Sequence, residues 1–186
     1  MLKQFRIATV SLMLAASALV IVPVQPAYAE SAAGLDADAD AALAFLYNQT
    51  PSAKILGSKA KAILVFPNIV KAAFMVGGSY GQGVLYKGGK NVGFYNSISG
   101  SYGLQAGAQT YSYALFLMTD ATEAYLGKSE GWELGVGPTV VIVDAGLAKN
   151  LSTTTLKDDV YGFIFDQKGL MAGISIQGSK VSRINK

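Results

Sequence analysis

The sequence predicts an α+β domain: a predominantly antiparallel, strongly curved sheet or partly closed barrel, with one or two amino-terminal helices packed on it. Three observations carry this reading. Apolar residues recur at helical spacing only near the start, at Leu35, Ala39, Ala42, Leu43 and Leu46. From Ala62 onward the chain alternates or runs apolar over strand-like lengths. Glycines then fall inside those strand segments, at Gly77, Gly81, Gly103, Gly107 and Gly173, where they permit curvature.

The first residues read as a secretory signal peptide. Lys3 and Arg6 supply the positive end, Ile7 to Val22 the apolar core, and Ala27-Tyr28-Ala29 the small-x-small cleavage site. The apolar run is short for a membrane span and is followed by Pro23 and Pro26. Cleavage after Ala29 is expected, with a periplasmic or secreted product that is peripherally membrane-associated at most. The 186 residues less the first 29 leave 157, enough for one domain, residues 30–186, with a real core. The 15 basic residues less Lys3 and Arg6 leave 13 against 12 acidic ones, so global charge gives no reason to expect nucleic acid. With no cysteine, an exported protein must hold its fold by packing alone, which agrees with 51% hydrophobic residues.

Along the chain, Glu30 to Gly34 is expected to be a flexible start. A helix follows over Asp36 to Asn48, with Asp36, Asp38 and Asp40 in its first turns, where the helix dipole favours them. Thr50-Pro51 forms a cap and first position for a second short helix ending near Gly57. Ala62 to Phe66 is a buried strand core that Pro67 ends, because proline cannot donate to a sheet ladder. From Phe74 the period is two: Phe74, Val76, Tyr80, Val84 and Tyr86 share one face, and Gly77, Ser79, Gly81 and Gly83 take the other. A face this poor in side chains lets another backbone, or a ligand, come very close. Turns are expected at Gly88-Gly89 and Lys168-Gly169, a strand over Ser101 to Met118, a helical turn over Asp120 to Leu126, an alternating strand after Trp132, and a polar loop from Ala145 to Lys157. Tyr80-Gly81 followed by Lys87-Gly88 echoes Tyr161-Gly162 followed by Lys168-Gly169; a duplication or two tight hairpins of similar steric need would each account for it. Trp132, the single tryptophan, is expected to be buried.

The chemistry is as informative by what it lacks. There is no histidine, which removes Ser-His-Asp and Cys-His catalysis and the commonest transition-metal ligand, and no cysteine could replace it. The carboxylates are scattered: Asp36, Asp38 and Asp40 alternate along a helix, and Asp158-Asp159 point to opposite sides of a strand junction. No acid, base or nucleophile constellation results, so no enzyme, cofactor or metal site is expected. Gly77, Gly78, Gly81 and Gly83 have the wrong spacing for a phosphate loop, and the segment continues as a strand. Gln105 and Gln109 share a strand face with Tyr111 and Tyr113, either pairing across strands or lining a polar opening to an acyl-chain cavity.

The remaining signal is basic. Lys54, Lys59, Lys61 and Lys71 lie in a stretch with no acidic residue between Asp40 and Asp120, beside Ile55, Leu56, Ile69, Val70 and Phe74. Lysines next to exposed apolar residues suit an anionic bilayer surface, at about 1 kcal/mol for each charge near it. The same pattern also describes solvated lysines over core residues.

The segment from Lys59 to Lys87, with Gly103-Leu104-Gln105-Ala106-Gly107-Ala108-Gln109, Leu115-Phe116-Leu117-Met118-Thr119, Gly131-Trp132-Glu133-Leu134-Gly135-Val136 and Phe163 to Gly178, resembles the SYLF lipid-binding domain in order and spacing from about Leu43 to Ile184. The small, secreted, single-domain bacterial members are the most similar. Ala73 stands where the family usually has glycine, and Phe94-Tyr95-Asn96-Ser97 where it often has Trp-x-x-Pro. The resemblance implies non-catalytic binding of phospholipid in the bacterial cell envelope, through the amino-terminal part of the domain. Lys54, Lys59, Lys61 and Lys71 would then meet anionic headgroups, and Ile69, Val70 and Phe74 the acyl region. The alternative is a structural or protein-interaction module of the envelope that uses the same surface without a lipid.

If the processing signal is read correctly, intact-mass measurement of exported protein will show a chain beginning at Glu30. A mass retaining Met1 to Ala29 would remove the periplasmic reading.

Overall fold

The structure, a computed structural model, describes residues 30–128, 131–144, 147–148, 151, 156–169 and 175–186, without the side chains of 74–75 and 101–106. The expected signal peptide, and most of the expected 145–157 loop, lie outside the described residues.

Helix α1 spans Ala32–Gln49 and starts four residues earlier than expected. Ser31 is the reason: its Oγ accepts the Gly34 N–H at 3.0 Å, satisfying one of the free donors of the first turn. No acidic residue then lies in the first turn, so the aspartates owe nothing to the helix dipole. Leu35, Ala39 and Leu46 are buried, as their spacing predicts. Helix α2, Pro51–Gly57, has proline in its first turn as expected, but the Thr50 hydroxyl makes no capping bond. The Thr50 N–H closes α1 instead, on the Leu46 carbonyl at 2.8 Å.

The two following strands dominate the molecule. β1, Ala62–Lys87, and β2, Lys90–Leu117, form one long antiparallel hairpin across Gly88 and Gly89. Both glycines have positive φ, +57° and +73°, as the favoured two-residue hairpin turn requires. Pro67 does not end a strand. The β1–β2 register jumps from Phe66 to Ile69, so Pro67 and Asn68 bulge out, where the missing N–H costs no ladder bond. The Pro67 carbonyl is satisfied by the Ser112 hydroxyl at 2.6 Å.

A second break, between Phe74 and Val76, shifts the β2 partner from Ala106 to Tyr102. Here the hairpin bends so far that β1 returns along itself. A Cβ on Gly77 would meet Ala73; one on Gly81 would lie 2.5 Å from the Asn68 carbonyl; one on Gly83 would lie 2.6 Å from the Phe66 ring and closer still to the Val65 carbonyl. The glycine face therefore does admit another backbone, and that backbone is the first half of the same strand.

The outer edge of β2 carries the rest of the sheet. Its first half pairs with β6, Lys180–Ile184, and its second half with β5, Val160–Gly169. β3, Trp132–Glu133, joins β6, and β4, Val140–Ile142, joins β5 as the one parallel pairing among the described residues; α3, Asp120–Leu126, follows β2. The result is the expected α+β architecture, a curled half-barrel with the amino-terminal helices against its wall. Two further expectations need correction. Lys168 and Gly169 lie within β5, opposite Thr110 and Gln109, not in a turn, so the echo of the first hairpin does not reproduce its structure. The strand after Trp132 stops at Glu133, and Gly135, at φ +101°, helps turn the chain away.

Side chains on the two sheet faces make two cores. The concave one joins Leu64, Phe66, Ile69, Tyr113 and Leu115 to Trp132. Trp132 is fully buried, and its Nε1 donates to the Val136 carbonyl at 3.1 Å. The convex one packs Leu35, Ala39 and Leu46 of α1 on Val65, Val84 and Phe116. Val76 and Tyr80, on the same strand face as Val84, lie beyond this cover and are exposed.

The Gly83→Ala variant should lose about 1–3 kcal/mol, because the added methyl has backbone on one side and a core ring on the other. Gly100→Ala, where a Cβ meets nothing within 4 Å, is the control and should leave the thermal midpoint unchanged. Equal midpoints for the two would mean that the β1 halves are not in contact.

Candidate functional site

Three of the four lysines come together at the barrel end that carries the Gly88–Gly89 turn. On α2, Ala53 and Leu56 are buried beneath while Lys54 and Ile55 face out, Ile55 at 40% exposure. The helix exit is tight: the Ser58 hydroxyl donates to the Ile55 carbonyl at 2.8 Å, and the Lys59 and Ala60 N–H groups both return to Leu56. Lys61 then enters the sheet, its N–H donating to the Leu117 carbonyl at 2.8 Å. Lys59 and Lys61 are left exposed on either side of this exit.

A cleft of about 450 Å³ opens beside them, between α1, the α2 exit and the hairpin turn, with Asp40, Tyr47, Lys61, Tyr86, Gly88 and Gly89 in its wall. Burial, then hydrogen bonding to Asp40 and Asp36, pushes the Tyr86 phenol far above its ordinary range, and burial also raises Tyr47. Both phenols stay neutral, so the formal charge in the wall is that of Lys61 and Asp40. The Tyr86 hydroxyl donates to the Asp36 carbonyl at 3.0 Å and lies 3.1 Å from its Oδ1, which also accepts from Asn91 Nδ2 at 2.9 Å. Asp36 thereby fastens α1 to both strands of the hairpin beside its turn.

The expectation of uncompensated charge fails at Lys61. Folding brings Asp120 of α3 to 3.5 Å from its Nζ, although both side chains are more than half exposed and such a pair is worth little. Lys87 bonds both Glu123 carboxylate oxygens at 2.8 Å, which raises its pKa above the usual lysine value. Among the described residues, Lys54, Lys59 and Lys90 have no ion-pair partner. Lys90 extends the basic end beyond the four lysines expected. Sequence distance separates it from the other three, and only the fold sets the hairpin turn beside Lys61.

Lys71 does not belong to this group. It is ten residues further along β1, opposite Gln109, roughly 30 Å from Lys61 at strand spacing. The apolar set also divides. Ile69 and Leu56 are fully buried and belong to the core, so neither presents a surface to a membrane; Ile69 lies under Gly81. Val70 is 50% exposed. Phe74 pairs with Ala106 through its backbone, and its side chain falls outside those described.

Gln109, Tyr111 and Tyr113 do share the concave face, all three buried, with Tyr113 stacked on Phe66 at 4.5 Å. The Gln109 Nε2 and Tyr113 hydroxyl have no hydrogen-bond partner among the described residues, and the Gln105 side chain is not among these. Asp158 and Asp159 have local structural partners: the Tyr161 hydroxyl donates to Asp158, and the Thr139 N–H to Asp159.

Residues 98–186 match the family model described as Ysc84, Las17-binding protein actin regulator. Over these residues the chain is similar to the SYLF family. The match takes in β2 from Ile98 and every later element of the fold. Lys54, Lys59, Lys61 and Lys71 all precede it. A search among curated proteins finds no match.

Replacing Asp36 by alanine should destabilise the domain by about 1–3 kcal/mol, since buried Tyr86 and half-buried Asn91 lose their shared carboxylate. Asp38→Ala, at an exposed position on the same helix, should stay within about 0.5 kcal/mol of the parent in denaturant melts. Equal losses would remove Asp36 from its fastening role.

Proposed function

We propose that this protein is a non-catalytic phospholipid-binding protein of the bacterial cell envelope, working in the periplasm or outside the cell. Its first contact with an anionic membrane is the barrel end formed by α2 and its exit. One observation supports this most: Lys54, Ile55 and Lys59 stand exposed together beside Lys61 and an open cleft, pairing cationic and apolar surface as an anionic bilayer rewards. The short, tightly hydrogen-bonded exit of α2 holds them on a rigid frame, so binding requires little ordering of the chain.

A second reading has its own support. The family description names a protein partner, Las17. The same exposed face would then dock an acidic protein segment of the envelope instead of headgroups.

The test is co-sedimentation of the exported protein with anionic and neutral vesicles. Lys54→Gln/Lys59→Gln/Lys61→Gln should fold normally and lose one to two orders of magnitude of binding to anionic vesicles, at about 1 kcal/mol per charge. Salt should weaken parent binding in the same direction, since screening acts over about 8 Å at physiological ionic strength. Asp120→Asn, which frees Lys61, should strengthen binding. A folded triple variant that binds as the parent does at low salt would remove this face from the membrane. Parent protein that ignores both vesicle types would leave the protein-partner reading.

A further inference from the structure

The outer wall of the barrel is covered only in part. α1 lies over Val65, Val84 and Tyr86, toward the hairpin turn. Toward the bend, the same wall shows Val76 at 63% exposure, Tyr80 at 48% and Ile98 at 50%. Tyr80 and Ile98 are directly opposed across β1 and β2, so their side chains are neighbours on one face. Gly81 lies against Asn68 and Ile69 where β1 returns along itself, which sets Tyr80 next to Val70, itself 50% exposed. Tyr80 and Ile98 thus stand side by side, with exposed Val70 across the seam and exposed Val76 further along the same face of β1.

The chemistry of the surroundings names the occupant. From Ala72 to Tyr86 and from Asn91 to Thr119 the hairpin carries no charged residue. Beside Ile98, on the same face, stands exposed Lys180 of β6. Glu133 follows in the row, and no ion pair joins it to Lys180 among the described residues. A wall that is uncharged and mostly apolar, with Tyr80 at its centre accepting from Gln82 Nε2 at 2.8 Å and a lysine on its rim, complements the interface of an anionic bilayer, where tyrosine and lysine both partition well.

We propose that Val70, Val76, Tyr80 and Ile98 form a second bilayer contact, separate from the lysine end. The proposal rests on the lipid-binding reading and adds a geometric consequence. Tyr80 is level with Ile69, eight residues along β1 from Lys61, or about 25 Å. A flat membrane against the α2 exit does not reach the patch. A single molecule can therefore hold two membrane surfaces, one by charge and one by apolar insertion.

The experiment uses vesicles of phosphatidylglycerol and phosphatidylcholine in equal parts, with and without bromine on the acyl chains. Tyr80→Trp places a fluorophore in the patch, while the native Trp132 is fully buried. Brominated vesicles should quench the new emission about twofold and leave parent emission nearly unchanged, because only an interfacial indole reaches the acyl region. Parent protein should also cluster vesicles, seen as light scattering. Val76→Asp/Ile98→Asp should sediment with vesicles within about threefold of the parent, through its intact lysines, yet no longer cluster them. Absence of extra quenching in Tyr80→Trp overturns the proposal. Clustering that disappears in the double variant without quenching in Tyr80→Trp assigns the patch to a second copy of this chain, which also overturns it. Clustering by the double variant equal to the parent's does the same. Parent protein that sediments with no vesicle removes the lipid-binding reading itself, and this inference with it.

Discussion

The architecture depends on one steric permission: β1 must lie against its own first half. A strand of this length is a flat ribbon with two faces and two edges to protect. Bending it at the Phe74–Val76 break and laying it back on itself removes much of that exposed edge and creates the concave interior that Phe66, Tyr113 and Trp132 fill. The contact is made where Gly81 and Gly83 oppose Asn68, Val65 and Phe66. Any side chain there would hold the halves apart by more than a methyl radius and open the interior. The second core depends on the same contact, because α1 packs on Val65 from one half and Val84 from the other.

That folding also sorts the chain's chemistry. Both strands run uncharged through the bend, so charge collects at the open ends of the hairpin: Lys59 and Lys61 before it, Lys87 and Lys90 at its turn, Asp120 and Glu123 after it. Sheet pairing then brings these together. The two exposed ion pairs there contribute little stability individually. Their consequence is to reduce the basic end to the lysines that α3 does not reach, Lys54, Lys59 and Lys90.

Much of the fold was legible because it follows from local rules. The Leu35–Leu46 spacing, Pro51 at a helix start, Gly88-Gly89 as a turn and the bare face of β1 each need only neighbouring residues to be understood. The misreadings have a common cause in partners distant along the chain. Pro67 reads as a strand end until Ser112 shows that a bulge accommodates it. Asp36 reads as a dipole-favoured residue until Tyr86 and Asn91 arrive from the hairpin. The lysine run reads as one patch because sequence distance hides that ten residues of strand carry Lys71 away from Lys61, while a helix sixty residues later supplies Asp120. Ser31 is the exception: its capping role is local, and the polar Glu30-Ser31 start simply masked it.

The division between buried and exposed apolar residues follows from helix length. α1 begins beside the hairpin turn, where Asp36 is fastened, and crosses the wall at about 1.5 Å per residue. Over its 18 residues it extends about 27 Å, crossing Val65 and Phe116 toward β5, where Phe45 stacks on Phe165 at 6.3 Å. Its path leads away from β1's second half. Val84 and Tyr86 are covered at the start of that path, and Tyr80, Val76 and Ile98 are left bare by its direction. Extending the helix would not cover them, since each added turn lands further toward β5. The exposed wall is thus a product of how α1 is anchored: the carboxylate that secures the helix at the turn also fixes which apolar residues the domain keeps on its surface.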